Sequence, residues 1–125
     1  MPQLSNDKFL IIKNIKNYIL GLEKLLITFP KKDMFTRNMV YNDALELLEL
    51  ITKANYETRS DYKKNFQIDA LSKINKIDFY LERAYKFKYI SERQCLNNIK
   101  ELEKINKMIY AWCKNDKWFK CNQFT

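Results

Sequence analysis

Two groups of closely spaced carboxylates are the residues of this chain whose chemistry is easiest to name. The groups are Asp43, Glu46 and Glu49, and Asp78 and Glu82. Carboxylates three and four residues apart share one face of a helix, where their oxygens could bind a divalent cation. The same spacing is typical of a solvated surface, and each group contains an acid followed four residues later by a lysine. We favour the surface interpretation and expect neither a metal site nor another cofactor.

The chain has no histidine, and this absence excludes most catalytic chemistry. Serine and cysteine hydrolases use an imidazole base, and di-iron helical bundles need paired Glu-x-x-His motifs. A phosphate-binding loop requires several glycines, whereas Gly21 is the only glycine. We therefore expect no catalytic residues and no enzyme activity, an RNA-cleaving activity included.

Basic residues form the second recognisable pattern. Lys and Arg number 23 against 15 Asp and Glu, which gives a net charge of +8. One face of the predicted fourth helix holds five cations and no acid among Arg93, Asn97, Lys100, Lys104, Lys107, Ala111 and Lys114. A similar row on the third helix holds Lys73, Lys76, Tyr80, Arg83 and Phe87.

These rows favour a polyanion as the partner, because lysine and arginine contact phosphates and Tyr80 could stack on an unpaired base. Two alternatives remain open. An acidic protein surface would fit the same cations, and a lysine-rich helix face is often only solvated. On the third helix, Tyr80 and Phe87 could be half-buried packing residues.

The elements that carry these rows are four predicted helices, at about 7–28, 33–56, 61–88 and 92–115, followed by a tail at 116–125. Phe29-Pro30 separates the first two helices, because proline lacks an amide donor and disfavours helix at the preceding residue. Ser91 and Gln94 predict a capping box at the start of the fourth. Long helices with short joints predict a single all-α domain, an antiparallel up-down-up-down four-helix bundle.

Apolar residues at three- and four-residue spacing predict the core. On the second helix they are Val40, Ala44, Leu47, Ile51 and Ala54, and on the fourth they are Leu96, Ile99, Leu102, Ile105, Ile109 and Trp112. Leu45, Leu48 and Leu50 widen the apolar arc of the second helix, which predicts contact with more than one neighbour.

Cysteine usage and hydropathy indicate the compartment. Cys95, Cys113 and Cys121 are odd in number and lack CxxC spacing, which predicts reduced thiols in a cytoplasmic protein. The apolar run 9–12 is interrupted by Lys13, and no run approaches the ~18 apolar residues of a membrane span. We expect no membrane partner.

Three stretches resemble one protein family: LEKLLITFPKKDMFTRNMVYNDALELLELITKANY, LSKINKIDFYLERAYKFKYIS and NIKELEKINKMIYAWCK. Their landmarks are the Phe-Pro-Lys turn, Arg37, Ala54-Asn55, the region of Arg83 and the Lys-Met-x-x-x-Trp ending. In this order they resemble the accessory variability determinant (Avd) proteins of diversity-generating retroelements. The same four-helix family includes proteins encoded in intervening sequences of bacterial large-subunit rRNA genes.

The resemblance implies a non-enzymatic protein that assembles as a homopentameric, positively charged barrel. Its implied partners are a reverse transcriptase and template RNA or a DNA/RNA hybrid, during mutagenic cDNA synthesis and retrohoming. By position it implies nucleic-acid contacts at Arg37, Lys73, Lys76, Arg83 and Lys107. The alternative is a ring-forming scaffold of the rRNA branch. Tyr110-Ala111 stand where many relatives have glycines, so packing there would differ.

Overall fold

Four α-helices make up the fold, in a computed structural model that describes residues 7–115, with side chains from residue 10 onward. They are α1 (Asp7–Leu26), α2 (Met34–Tyr56), α3 (Ser60–Lys86) and α4 (Glu92–Asn115). Each helix packs against its neighbours along the chain, and α1 closes the bundle against α4. The predicted all-α, up-down-up-down four-helix bundle is therefore confirmed. The predicted tail at 116–125 lies outside the described residues.

The joint between α1 and α2 begins two residues earlier than predicted. The amides of Thr28 and Phe29 donate to the carbonyls of Leu25 and Leu26 at 3.1 Å, a spacing of three residues that tightens the helix end. Pro30 has no amide to continue the helix. A short 3-10 turn over Lys31–Asp33 then leads into α2.

The end of α3 also differs from the prediction, by two residues. Lys88 has a φ of 64°, so the chain enters the left-handed region there. Its amide donates to the Tyr85 carbonyl, and the Tyr89 amide donates to the Ala84 carbonyl, both at 2.9 Å. This pair of bonds is a Schellman motif, in which the left-handed residue is more often glycine. The capped helix therefore ends at Lys86 instead of position 88.

The predicted capping box at the start of α4 is confirmed. The Ser91 amide donates to Gln94 Oε1 at 2.9 Å, and the Gln94 amide donates to Ser91 Oγ at 3.1 Å. Two amides that have no partner within the helix are satisfied in this way.

The core matches the predicted apolar period on α2 and differs at one end of α4. The five predicted core residues of α2 are all fully buried: Val40, Ala44, Leu47, Ile51 and Ala54. On α4 the prediction for Leu96 is wrong, because its side chain is 53% exposed. Cys95 occupies the core position instead, with its Sγ 3.7 Å from the Leu81 carbonyl oxygen.

Asp33 is the centre of a polar cluster that ties the first joint to α3. The cluster consists of Asp33, Thr36, Arg83 and Tyr89. Oδ1 accepts from the Thr36 amide at 3.2 Å and from its hydroxyl at 2.9 Å, which caps α2. Oδ2 accepts from the Tyr89 hydroxyl at 2.8 Å and from Arg83 Nη1 at 3.4 Å. These interactions, the Tyr89 bond first, lower the pKa of Asp33.

Replacing Asp33 by asparagine is expected to destabilise the bundle by about 1 kcal/mol at neutral pH, because the charge-assisted bonds weaken while the cap is kept. A carboxyl whose folded pKa is lowered contributes stability above its unfolded pKa of about 4 and loses that contribution as pH falls through the folded value. The difference between wild type and Asp33→Asn should therefore shrink toward pH 3. Urea unfolding at both pH values measures this difference.

The exposed carboxylate of Asp69, also in the bundle, provides the control as Asp69→Asn. The free energy of unfolding of Asp69→Asn should stay within about 0.5 kcal/mol of wild type. An Asp33→Asn deficit that is equally large at pH 3 would contradict the proposed protonation effect.

Candidate nucleic-acid interface

The five predicted cations of α4 form one exposed row, which we call the α4 ridge: Arg93, Lys100, Lys104, Lys107 and Lys114. All five are exposed, and the buried residues of α4 lie on the opposite side of the helix: Cys95, Leu102, Ile105, Ile109 and Cys113. From Arg93 to Lys114 the helix rises about 32 Å at roughly 1.5 Å per residue. The structure therefore brings together a straight line of positive charge that faces solvent.

The charge of the α4 ridge is largely uncompensated. Lys107 pairs with Glu103 at 3.8 Å, but the two side chains are 76% and 61% exposed, and such pairs contribute little. Across residues 10–115, the other four ridge cations form no ion pair. At these four positions a phosphate would displace water and would not have to break an ion pair.

Helix α1 carries three further exposed cations, which the sequence analysis did not predict as contacts. Lys13, Lys16 and Lys24 are exposed on α1, the helix that packs beside α4. Glu23, the acid in the part of α1 with described side chains, accepts a hydrogen bond at 2.7 Å from Tyr41 of α2. The outward spacing of Lys13 and Lys24 was a usable signal, but the first helix was interpreted only for its core.

A shallow groove separates α1 from the α4 ridge. Its volume is about 340 Å³, and both polar and apolar residues line it, namely Asn17, Tyr18, Gly21, Leu22, Leu25, Gln94, Asn97, Asn98 and Glu101. At its edge the Tyr18 hydroxyl donates to Asn98 Oδ1 at 2.6 Å. Burial, more than the nearby Asp78 carboxylate, raises the pKa of Tyr18, so this hydroxyl stays protonated and acts as a donor.

The two lysines predicted on α3 are occupied by acids of α2. Lys73 Nζ contacts Asp43 Oδ1 at 3.5 Å and pairs closely with Glu46, and Lys76 Nζ lies 3.6 Å from Asp43 Oδ1. The hydrogen bond between Lys73 and Glu46 raises the pKa of the lysine and lowers that of the glutamate. Since Asp43 is buried, these lysines compensate its charge. The structure does not place Lys73 and Lys76 with the α4 ridge.

Arg83 is likewise held by α2 and the joint before it. Its Nη1 donates to Thr36 Oγ1 at 2.6 Å, and its guanidinium lies 4.7 Å from the centre of the Phe87 ring. Tyr80 is half-buried and packs against the core, with its ring 5.6 Å from that of Phe79. The packing interpretation therefore fits Tyr80, but it is wrong for Phe87, whose side chain is 53% exposed.

Arg37 lies apart from both rows. It is half-buried on α2, with Nη1 3.5 Å from Met34 Sδ, and it lines a cavity of about 380 Å³ with Glu23, Ile27 and Tyr41. This cavity is on the α2 side of α1, whereas the ridge is on the α4 side. Of the nine predicted contact residues, five form one surface and four do not join it.

The surface interpretation of the carboxylate groups fits Glu49 but is wrong for Asp43, which is buried. Lys53 pairs with Glu49 at 3.0 Å, as expected for a solvated helix face. Asp78 is half-buried, and burial raises its pKa, with smaller contributions from Glu82 and Glu103. In the part of the chain that the structure describes, no three His, Cys, Asp or Glu side chains are grouped so that they could hold a metal ion.

Comparison with known proteins supports the fold. No family model and no curated protein matches the chain. Among solved structures it is similar to a protein of unknown function from the S23 ribosomal protein family of Bacteroides thetaiotaomicron, with a TM-score of 0.80. The match covers 87% of this chain and 99% of that chain at 14% identity, which establishes a shared fold. Over residues 7–115, no helix has the length and apolar character needed to cross a bilayer.

Proposed function

We propose that this protein is a non-enzymatic adaptor that binds the backbone of a nucleic-acid duplex through the α4 ridge. The observation that carries the proposal is the ridge itself, with five exposed cations in one row and one weak ion pair among them. Cations in such a row neutralise phosphates without reading bases. In the setting that the sequence resemblance implies, the duplex is the DNA/RNA hybrid formed by template RNA and its cDNA, and the protein partner is the reverse transcriptase.

A duplex is favoured over an unpaired strand because the ridge contains no aromatic residue. Proteins that bind single strands combine cations with aromatic rings on which bases stack. Of the two aromatic residues near Arg83, Tyr80 packs against the core, and the exposed ring of Phe87 is in contact with the Arg83 guanidinium. The ridge is therefore suited to phosphates at fixed positions along a stiff helix.

Fluorescence anisotropy with labelled RNA/DNA hybrid and single-stranded RNA of equal length tests this function. We expect tighter binding of the hybrid, with a log–log salt slope of about 4 to 5 if all five cations contact phosphates at roughly 0.9 each. A flat salt response, or exclusive binding of the single strand, would contradict the proposed use of the ridge.

Assembly into a pentameric ring is the second part of the proposal. Leu45 on α2 is 41% exposed and Leu20 on α1 is 59% exposed, so the α1–α2 face carries apolar side chains that the bundle does not cover. Of the three residues that widen the apolar arc of α2, Leu48 and Leu50 pack against the core of the bundle, and Leu45 does not. Contact between copies through the α1–α2 face would cover the remainder.

Light scattering is expected to give a mass near five times the 15.2 kDa of one chain. Leu45→Glu should shift the mass toward that of the monomer, because a charge would be placed inside the subunit contact. Phe79→Glu, on the exposed side of α3, is the matched control and should keep the assembly. A wild-type monomer at micromolar concentration would remove the ring model.

The rRNA branch of the family is the second candidate, favoured by the neighbour from the S23 ribosomal protein family. In that setting the ridge would bind a folded RNA, and no reverse transcriptase would be involved. A reverse transcriptase gene and a template/variable repeat pair beside this gene would favour the first candidate. Co-purification of that enzyme with the tagged chain, after nuclease treatment, tests the protein contact directly.

A further inference from the structure

A buried lysine and a buried cysteine face each other at the end of the bundle where α3 begins and α4 ends. Lys64 Nζ donates to Cys113 Sγ at 2.8 Å, and the two residues are 7% and 4% exposed. This separation falls within the usual range of N–H···O bonds, roughly 2.7–3.2 Å, although sulfur is a larger atom than oxygen.

We propose that Lys64 and Cys113 form an oxidative cross-link in which one oxygen atom bridges Nζ and Sγ. The proposal is independent of nucleic-acid binding and of the ring. A direct N–S bond would require the two atoms to approach much more closely. One oxygen atom, by contrast, can join them with little movement of α3 or α4.

The chemistry uses two equivalents of hydrogen peroxide. In the first step Cys113 Sγ attacks a peroxide oxygen, the O–O bond breaks, and hydroxide leaves as water, which gives the sulfenic acid. In the second step Lys64 Nζ, as the unprotonated amine with a free electron pair, attacks another peroxide oxygen and becomes a hydroxylamine, and a second water leaves. The hydroxylamine oxygen then displaces the sulfenic hydroxyl from sulfur as a third water. Sulfur and nitrogen each lose one electron pair, and a thiol reductant restores both groups.

Cys95 provides an internal comparison. It is as buried as Cys113 and lies on the same helix, but its contact is with the Leu81 carbonyl oxygen at 3.7 Å. Burial, first among the causes, raises the pKa of Cys95, so its thiol stays protonated and unreactive. Cys113 lies two residues before Asn115, and a small oxidant would have to reach it through local opening of α4.

The test is mass spectrometry of the folded, full-length protein after treatment with hydrogen peroxide. We expect a gain of one oxygen and a loss of two hydrogens, with peptides containing Lys64 and Cys113 joined, and full reversal by dithiothreitol. Lys64→Met and Cys113→Ser should each abolish the joined peptide, and Cys95→Ser should not. Wild-type protein in guanidinium chloride should not cross-link, which keeps the test valid if a variant fails to fold.

Three other results would overturn the proposal. A sulfenic or sulfinic acid at Cys113 without a joined peptide would show that the lysine does not react. Loss of two hydrogens with Cys113 joined to Cys121, abolished by Cys121→Ser, would show a disulfide. Loss of two hydrogens with Lys64 joined to Cys113 would show a direct N–S bond. The cross-linked form should also melt roughly 10 °C higher than the reduced form, because it closes a long loop of chain.

Discussion

Replacing Lys100, Lys104 and Lys107 together by glutamine is expected to weaken binding of an RNA/DNA hybrid about 100-fold at physiological salt. Each phosphate contact of a lysine releases counterions, so three lost contacts should also lower the log–log salt slope by roughly 2 to 3. The three side chains are exposed at the centre of the α4 ridge, so helicity should stay unchanged. Anisotropy titrations over a salt series measure both quantities.

A control with the same change in net charge separates the ridge from the overall charge of the protein. Lys31, Lys32 and Lys86 are exposed and lie on neither α1 nor α4. Changing all three to glutamine should reduce affinity much less than the ridge variant, because long-range attraction is screened beyond about 8–10 Å. Equal losses in the two triple variants would show that net charge alone causes binding.

The α4 ridge could be predicted from sequence because it depends on one helix alone. The helical period decides which side of α4 is buried, and Lys100, Lys104 and Lys107 follow on the opposite side. Nothing on another helix has to be known to place them at the surface. For the same reason the capping box of Ser91 and Gln94 was predictable. The bundle was predictable from the length of the helices and their short joints.

Whether the cations of α3 are available to a partner could not be predicted in this way, because it depends on the residues that face them from neighbouring elements. Periodicity places Lys73 and Lys76 on one side of α3, but it does not show that Asp43 lies opposite them. Arg83 is a similar case, since Thr36 and Asp33 belong to the preceding helix and joint.

The error at Leu96 has another cause. Adjacent Cys95 and Leu96 both fit the apolar period, and only packing selects between them.

Gln67 is a core residue that neither periodicity nor packing explains. Its side chain is completely buried on α3, and among residues 10–115 neither its amide nitrogen nor its carbonyl oxygen has a hydrogen-bond partner. An unpartnered amide in a protein interior costs about 1–3 kcal/mol. Methionine has nearly the same length and helix propensity as glutamine, so it removes this cost without leaving a cavity.

Gln67→Met is therefore expected to raise the free energy of unfolding by about 1–3 kcal/mol, measured by urea unfolding. Asn65→Met, at an exposed position on the same helix, is the control and should change stability by no more than about 0.5 kcal/mol. Unchanged or lower stability of Gln67→Met would mean that the buried amide has a partner, such as an internal water.

A stabilised variant raises a second question, since a buried polar group can fix the alignment of packed helices at a cost in stability. Light scattering of the same variant answers it, because a broadened or altered mass distribution would show that Gln67 favours one packing arrangement over others.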